Sequence, residues 1–309
     1  MNSQQAAENG KKVGLIGLGL LGRALARRLA GAGYTVHGYD PDPAAVAAGR
    51  LRGVHIEPDP GAVARGCLSL LFALPDSTVR QVLLWGNDGL AAALRPGMLI
   101  LDTSTGRPED LLADHERLAR QGVRLIDACV AGSSGELEDG KAPILVGSED
   151  DLPQGKALLD ALAARVFYLG APGQGSRAKL VVNLVLGLNR LVLAEGLGLA
   201  AKAGFDWTQI LEILKAGGSY SRVMDIKGSR MITGDFEPVA RLRQHAKDVS
   251  LIRQLAEQLG ARTPLSELHQ RLLEEAMAAG WGDLDNAAVI KLFSQCGEAS
   301  PKVPLRRGI

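Results

Sequence analysis

Three things are scarce in this 309-residue sequence: cysteine, aromatic side chains and net charge. The three cysteines, Cys67, Cys129 and Cys296, lie far apart and form no CxxC or Cys/His ligand pattern, which argues against a disulfide framework and a structural zinc. Aromatic residues make up only 4% of the chain, too few for base-stacking platforms. A formal net charge of +1 leaves no electrostatic footprint for nucleic acid or an anionic membrane. Neither a GxSxG elbow nor an HExxH motif occurs, and His37, His55, His115, His245 and His269 form no ligand pattern, so hydrolytic chemistry has no support. Of the five, only His245 stands near a candidate site residue, two positions before Lys247, and a solvated helix position explains it better. Residues 1–12 are polar and lack the apolar run of a signal peptide. The most apolar long stretch, 180–200, contains Asn183, Asn189, Arg190 and Glu195, whose cost in lipid predicts a buried helix over a membrane span. The expectation is a cytoplasmic enzyme or binding protein with no metal, nucleic-acid or membrane partner.

Glycine, by contrast, is abundant at 38 residues, and it supplies tight turns and close backbone approach to ligands. The pattern predicts a strand over 12–18, ending in glycines, and a helix over 20–32 with apolar spacing at Leu21, Leu25 and Leu29 and Gly33 as its C-cap. A second strand over 34–39 ends at Asp40. Further strands are expected at 68–74, 98–102, 124–128 and 144–147, separated by helices at 43–52, 77–84, 108–121 and 151–164. Such alternation implies a mostly parallel sheet with helices on both faces. From about Gly175 no strand is expected. A long helix over 176–203 precedes helices near 207–216, 239–259, 264–279 and 285–293, and a polar tail from Ser294 should fray. The reading is an α/β fold: an N-terminal Rossmann domain (1–174), a long connecting helix, and an all-α C-terminal domain (175–309).

Gly17-Leu18-Gly19-Leu20-Leu21-Gly22 fits the dinucleotide fingerprint with its context intact, after a strand, opening a helix, with an acid ending the next strand. Gly17 permits the turn, Gly19 admits the pyrophosphate, and Gly22 lets helix and strand pack closely. Amides at the helix N-terminus then favour the phosphate charge. Asp40 is placed to accept hydrogen bonds from the adenosine ribose, which favours NAD over NADP, and the following Pro41-Asp42 brings no arginine for a 2′-phosphate. Leu74-Pro75 and Asp102-Thr103-Ser104-Thr105 fall at later strand ends, placed either to touch the cofactor or, for Thr103 and Thr105, to serve turns and helix caps. In the second half, Lys179 and Asn183 are i,i+4 on one face of an apolar helix. A buried lysine beside an apolar cleft would have a lowered pKa suited to proton exchange with a substrate hydroxyl. The alternative is a lysine that snorkels or pairs with Glu195.

These blocks, with Asp127-Ala128-Cys129-Val130-Ala131-Gly132-Ser133, Gly173 to Asn183 and Lys247-Asp248, resemble the β-hydroxyacid dehydrogenase family over about residues 12–292. The resemblance implies reversible hydride transfer between a nicotinamide and a short hydroxy acid or its semialdehyde. It implies Lys179 as general acid/base, Asn183 as the group that orients substrate, and Ala131, Gly132 and Ser133 as the carboxylate loop. It also implies Ser104 and Thr105 on the nicotinamide side, Lys247 near cofactor or substrate, and a homodimer or homotetramer built on the connecting helix. The sequence departs from the family at Ala131, which lacks an expected hydroxyl, at Cys129, expected as a small core residue, and at Val182. It departs again at Glu136-Leu137-Glu138-Asp139, acidic beside an anionic substrate and expected to face solvent. Two other readings remain: an imine reductase-like enzyme, against which Lys179 argues, and a non-catalytic dinucleotide-binding protein.

Overall fold

The structure, a computed structural model, describes residues 11–148 and 153–294. Eight strands form one sheet in the order β3-β2-β1-β4-β5-β6-β7-β8. They are β1 Lys12–Ile16, β2 Thr35–Tyr39, β3 His55–Ile56, β4 Ser69–Phe72, β5 Leu99–Asp102, β6 Arg124–Val130, β7 Ile144–Gly147 and β8 Val166–Tyr168. Neighbours from β3 to β6 pair in parallel. β7 runs antiparallel to β6, because the helix joining them, Ser134–Glu138, is too short to carry the chain back across the sheet.

Parallel strands covered on both faces should be apolar throughout. β4 is buried at all four positions, and alternate residues feed opposite cores: Leu71 joins Leu15, Leu25 and Leu101, while Leu70 and Phe72 join Leu84, Ile100 and Leu125. Two strands are invisible to the sequence pattern, for a physical reason. β3 has only two residues and β8 is a half-exposed edge, so neither carries enough apolar alternation to be seen. The helix Pro60–Gly66 is equally invisible, being made largely of small residues behind an Asp59 cap.

The chain divides into two compact units, one ending at Leu180 and one beginning at Val181, so the division falls inside the helix Gln174–Lys202. That helix is long and apolar enough to pass for a membrane span, yet Lys179, Asn183 and Arg190 on it are buried. Among described residues the second unit holds no strand. Its helices are Trp207–Ala216, Ser229–Thr233, Leu242–Leu259 and Pro264–Ala278, with a π-helix at Met224–Gly228 and a 3-10 helix at Asn286–Leu292. The helix expected from 239 begins at Leu242 because the Val239 and Ala240 amides donate to the Asp285 carboxylate at 3.1 and 3.0 Å. Asp285 also caps the next segment through Ala287 N, and where an α-helix is expected over 285–293 the structure has a 3-10 helix, Asn286–Leu292. The expected helix start at Asp151 and the tail beyond Ser294 lie outside the described residues.

Candidate active site

The first unit gathers its candidate residues at the carboxyl ends of its parallel strands, where ligands of such sheets bind. Gly17 has φ +97°, and a Cβ there would lie 2.3 Å from Ala73 O. A Cβ on Gly22 would lie 2.0 Å from Gly17 O, so helix and turn touch through bare backbone. A Cβ on Gly19 would meet nothing within 4 Å, which leaves the approach to the turn open. Gly19 also starts the helix Leu20–Gly31 without a side-chain cap, so the first-turn amides around Leu20, Leu21 and Gly22 have no helical partner. This uncapped glycine cradle fits a pyrophosphate.

Asp40 ends β2 as expected, but its carboxylate also braces the cradle. Oδ2 accepts from Leu18 N at 2.7 Å and Oδ1 from Asp42 N at 2.8 Å. A cavity of about 450 Å³ opens beside it, lined by Tyr39, Asp40, Val46, Arg50 and Glu57 among others. The sequence pattern gives no sign of Arg50 there. It brings one cation to a largely apolar wall whose other charged groups are Asp40 and Glu57.

The next strand ends are tied to one another. Ser104 is 4% exposed; its Oγ accepts from Leu74 N at 3.0 Å and its amide donates to Asp102 Oδ1 at 2.9 Å. Thr103 is a turn residue, donating its hydroxyl to Phe72 O at 2.6 Å. Thr105 is half-buried and does not cap the following helix, whose N-cap is Arg107. Pro75 follows Leu74 at the rim of the same edge. Behind them lies a network that sequence reasoning misses. The Arg80 guanidinium, 1% exposed, donates to Asp102 Oδ2 at 2.6 Å and to Asp114 Oδ2 at 2.8 Å, and Trp85 Nε1 donates to Asp114 Oδ1 at 2.7 Å.

The loop after β6 holds several of its own donors and corrects the expectation for the acidic run that follows it. Ala131 N donates to Pro143 O at 2.8 Å, and the Ser133 amide and hydroxyl both donate to Glu136 Oε2, at 2.9 and 3.0 Å. These donors are engaged within the protein, because Ser133 and Glu136 form the capping box of the short helix Ser134–Glu138. The acidic run does not simply face solvent either. Glu136 turns onto Gly132-Ser133, Glu138 pairs with Arg27 at 2.7 Å and Arg52 at 3.1 Å, and only Asp139 is exposed, beside Lys141. Cys129 is the core residue expected, its thiol pushed far up by burial.

The helix Gln174–Lys202 starts on Asp127, which is fully buried and accepts from Gly173 N at 3.0 Å and Ser176 N at 2.6 Å. Burial pushes its carboxyl up against the pull of those two bonds. One turn later Lys179 is 9% exposed and close enough to Cys129 for its charge to act on the thiol. Glu195 cannot be its partner, since it is exposed and about 24 Å further along the axis. One turn beyond Lys179, Asn183 donates from Nδ2 to Asp248 Oδ2 at 2.8 Å, and Lys247 Nζ lies 3.0 Å from Asp248 Oδ1. Asp248 is legible in the sequence only as half of a Lys-Asp pair; the structure makes it the acceptor that holds Asn183.

His245 is buried and not solvated, its ring 5.1 Å from that of His269. Burial, helped by Arg190, pulls His269 down to about 4. A histidine with a depressed folded-state pKa takes up its proton more readily when unfolded. Its contribution is therefore full above about 6.5 and is lost as pH falls toward 4. We expect the chain to lose about 2 kcal/mol more between pH 7.5 and pH 5 than a His269→Gln variant does. Urea unfolding at both pH values measures this, and equal losses in the two proteins would contradict it.

Comparison with known proteins completes the description. Residues 12–170 match the family model for the NAD binding domain of 6-phosphogluconate dehydrogenase. Residues 173–293 match that for the NAD-binding region of NADP-dependent 3-hydroxyisobutyrate dehydrogenase. The chain is 28% identical to an L-threonate dehydrogenase of Cupriavidus necator, covering 92% of this chain and 96% of that protein. It is 30% identical to a 2-hydroxy-3-oxopropionate reductase of Escherichia coli, covering 91% and 96%. A crystal structure of 3-hydroxyisobutyrate dehydrogenase from Salmonella typhimurium superposes with a TM-score of 0.84 at 27% identity, covering 91% of this chain and 99% of that one. Imine reductases share the fold at lower similarity.

Proposed function

The chain belongs to the β-hydroxyacid dehydrogenase family, and on that premise we propose that it is an NAD(P)-dependent oxidoreductase exchanging a hydride with a short hydroxy acid or its semialdehyde. The observation that carries this reading is a buried lysine, Lys179, one helical turn before a buried, hydrogen-bonded Asn183. A bound nicotinamide supplies the hydride acceptor or donor. In the oxidising direction the neutral Lys179 amine takes the substrate hydroxyl proton as the carbon loses hydride, and it returns that proton on reduction. Asn183, held by Asp248, orients the hydroxyl, and Lys247 pairs with Asp248 on its other oxygen.

For the cofactor, Gly17, Gly19, Leu20, Leu21 and Gly22 hold the pyrophosphate and Asp40 the adenosine ribose. Leu74, Pro75, Ser104 and Thr105 border the nicotinamide side. Turnover, not mere nucleotide binding, is favoured because Lys179 and Asn183 are both present and buried. Lys179 likewise favours hydroxyl over imine chemistry. We read the assembly as a homodimer or homotetramer in the cytoplasm. The oligomer is supported by Val181, Val185, Val192 and Leu199, which recur along the helix Gln174–Lys202 at exposures of 53–72%.

The test is a panel of short hydroxy acids and semialdehydes with NAD and with NADP, followed by absorbance of the reduced nicotinamide. At least one hydroxy acid should reduce NAD faster than NADP, and a panel with no turnover would refute the reading. In the same assay Asp40→Ala should weaken NAD about tenfold more than NADP, the worth of roughly one charge-assisted hydrogen bond. An equal loss for both would make Asp40 only the brace for Leu18.

A further inference from the structure

The cavity beside Asp40 is lined by three charged side chains, Asp40, Arg50 and Glu57, and they are not held alike. Asp40 follows β2 and Glu57 follows β3, the strand next to it. The two strands pair in parallel with His37 opposite His55, and Glu57 N donates to Gly38 O at 2.9 Å, which fixes the Glu57 backbone one strand over from Asp40. Its side chain is fixed as well. Glu57 Oε1 lies 2.8 Å from His37 Nδ1, with the two side chains only 27% and 20% exposed. A carboxylate can only accept, so the ring hydrogen of this bond sits on Nδ1. His37 Nε2 is buried and has no hydrogen-bond partner among the described residues, which suits the bare nitrogen of a neutral imidazole. The pair then keeps the negative charge of Glu57, and His55 backs the ring by stacking on it at 5.3 Å.

The other two charges count for less. Arg50 is exposed and pairs with no described residue, so water and salt screen its attraction for an anion. Asp40 spreads its charge over two amide donors, Leu18 N and Asp42 N, whereas Glu57 has His37 alone. A ribose held by Asp40 through its hydroxyls has its 2′ oxygen within hydrogen-bond reach of that carboxylate. A phosphate on that oxygen would enter the cavity beside Asp40 and meet the Glu57 carboxylate across it, and like charges at such range repel.

We propose that Glu57, held in place by His37, excludes a 2′-phosphate and so selects NAD over NADP. This rests on the reading of Asp40 as the ribose acceptor, and it adds a second determinant on the neighbouring strand. The sequence pattern hides it, because β3 is too short to be seen and its end cannot be located without the sheet.

The test is calorimetric titration of NAD and NADP into the protein at pH 8. Glu57→Gln keeps an acceptor for His37 and removes the charge, and it should bind NADP about tenfold more tightly than wild type. Glu57→Lys should gain at least as much. His37→Phe releases the carboxylate into solvent, and it should raise the ratio of NADP to NAD affinity by about threefold, a ratio that lost stability alone would not move. Arg50→Gln should weaken NADP by less than about threefold. Unchanged NADP affinity in both Glu57 variants would overturn the proposal. So would a loss of about tenfold or more in Arg50→Gln, which would make Arg50 a ligand of the phosphate. If Asp40→Ala shifts the NAD to NADP ratio and Glu57→Gln does not, the proposal fails and the ribose reading stands. If Glu57→Gln gains NADP while Asp40→Ala weakens both dinucleotides equally, the ribose reading fails and Glu57 stands as the determinant.

Discussion

Lys179→Ala should lower kcat by roughly 10²–10⁴-fold, the range supplied by a positioned general acid/base, while NAD affinity stays within about twofold. The pyrophosphate cradle and Asp40 belong to the turn after β1 and the end of β2, and Lys179 belongs to the helix Gln174–Lys202, so the two functions separate by residue. Lys179 is too buried to snorkel and too far from Glu195 to pair with it. The Asp127 carboxylate fixes the first turn of the helix and with it the point from which the side chain departs. Lys179→Arg should not restore turnover, since a guanidinium stays protonated and cannot take the substrate proton. Steady-state kinetics beside a fluorescence titration of NAD measures both quantities. Retention of more than about a tenth of kcat in Lys179→Ala would remove it from the mechanism.

The largest stability effect is expected at Arg80. Replacing it with methionine leaves Asp102 and Asp114, both buried, without their cation, and breaking a buried pair from one side costs about 3–5 kcal/mol. In a chain of this size that lowers Tm by roughly 10 °C. The loss should reach the cofactor side as well. Asp102 uses its other oxygen to hold Ser104 N, and Ser104 Oγ in turn holds Leu74 N, so three residues at the cleft edge share one anchor. Scanning calorimetry gives the Tm change, and NAD titration of the folded variant gives the second effect. An Arg80→Met protein melting within about 2 °C of wild type would show that the network contributes little.

Much of the first unit is legible because its signals are local. Each glycine of the cradle answers to a neighbour in one strand–turn–helix unit, and the acid at the end of β2 is set by strand length. Apolar alternation finds the six longer strands, and it fails at β3 and β8, where too few residues are buried to show a period. Ser133, expected to offer a hydroxyl to the substrate, also forms a capping box with Glu136 three residues along the chain.

Three acids show where legibility ends. Asp102, Asp127 and Asp248 are unremarkable as letters, yet their partners lie 22, 46 and 65 residues away. One neutralises Arg80, one seats the helix that bears Lys179, and one holds Asn183. Arg190 is the converse case, a buried cation whose charge is met by Asp285 and Asp248, neither of them near it in sequence.

The sequence by itself determined the strand–helix alternation, the dinucleotide cradle and the i,i+4 pairing of Lys179 with Asn183, since each depends on residues within a few turns of one another. Only the tertiary structure decided which polar groups are already satisfied: Ala131 N taken by Pro143, Asn183 held by Asp248, and Asp285 shared among Lys227, Val239 and Ala240. Hydrogen-bond satisfaction is a count over all groups brought together by folding, and no run of neighbouring residues contains that count.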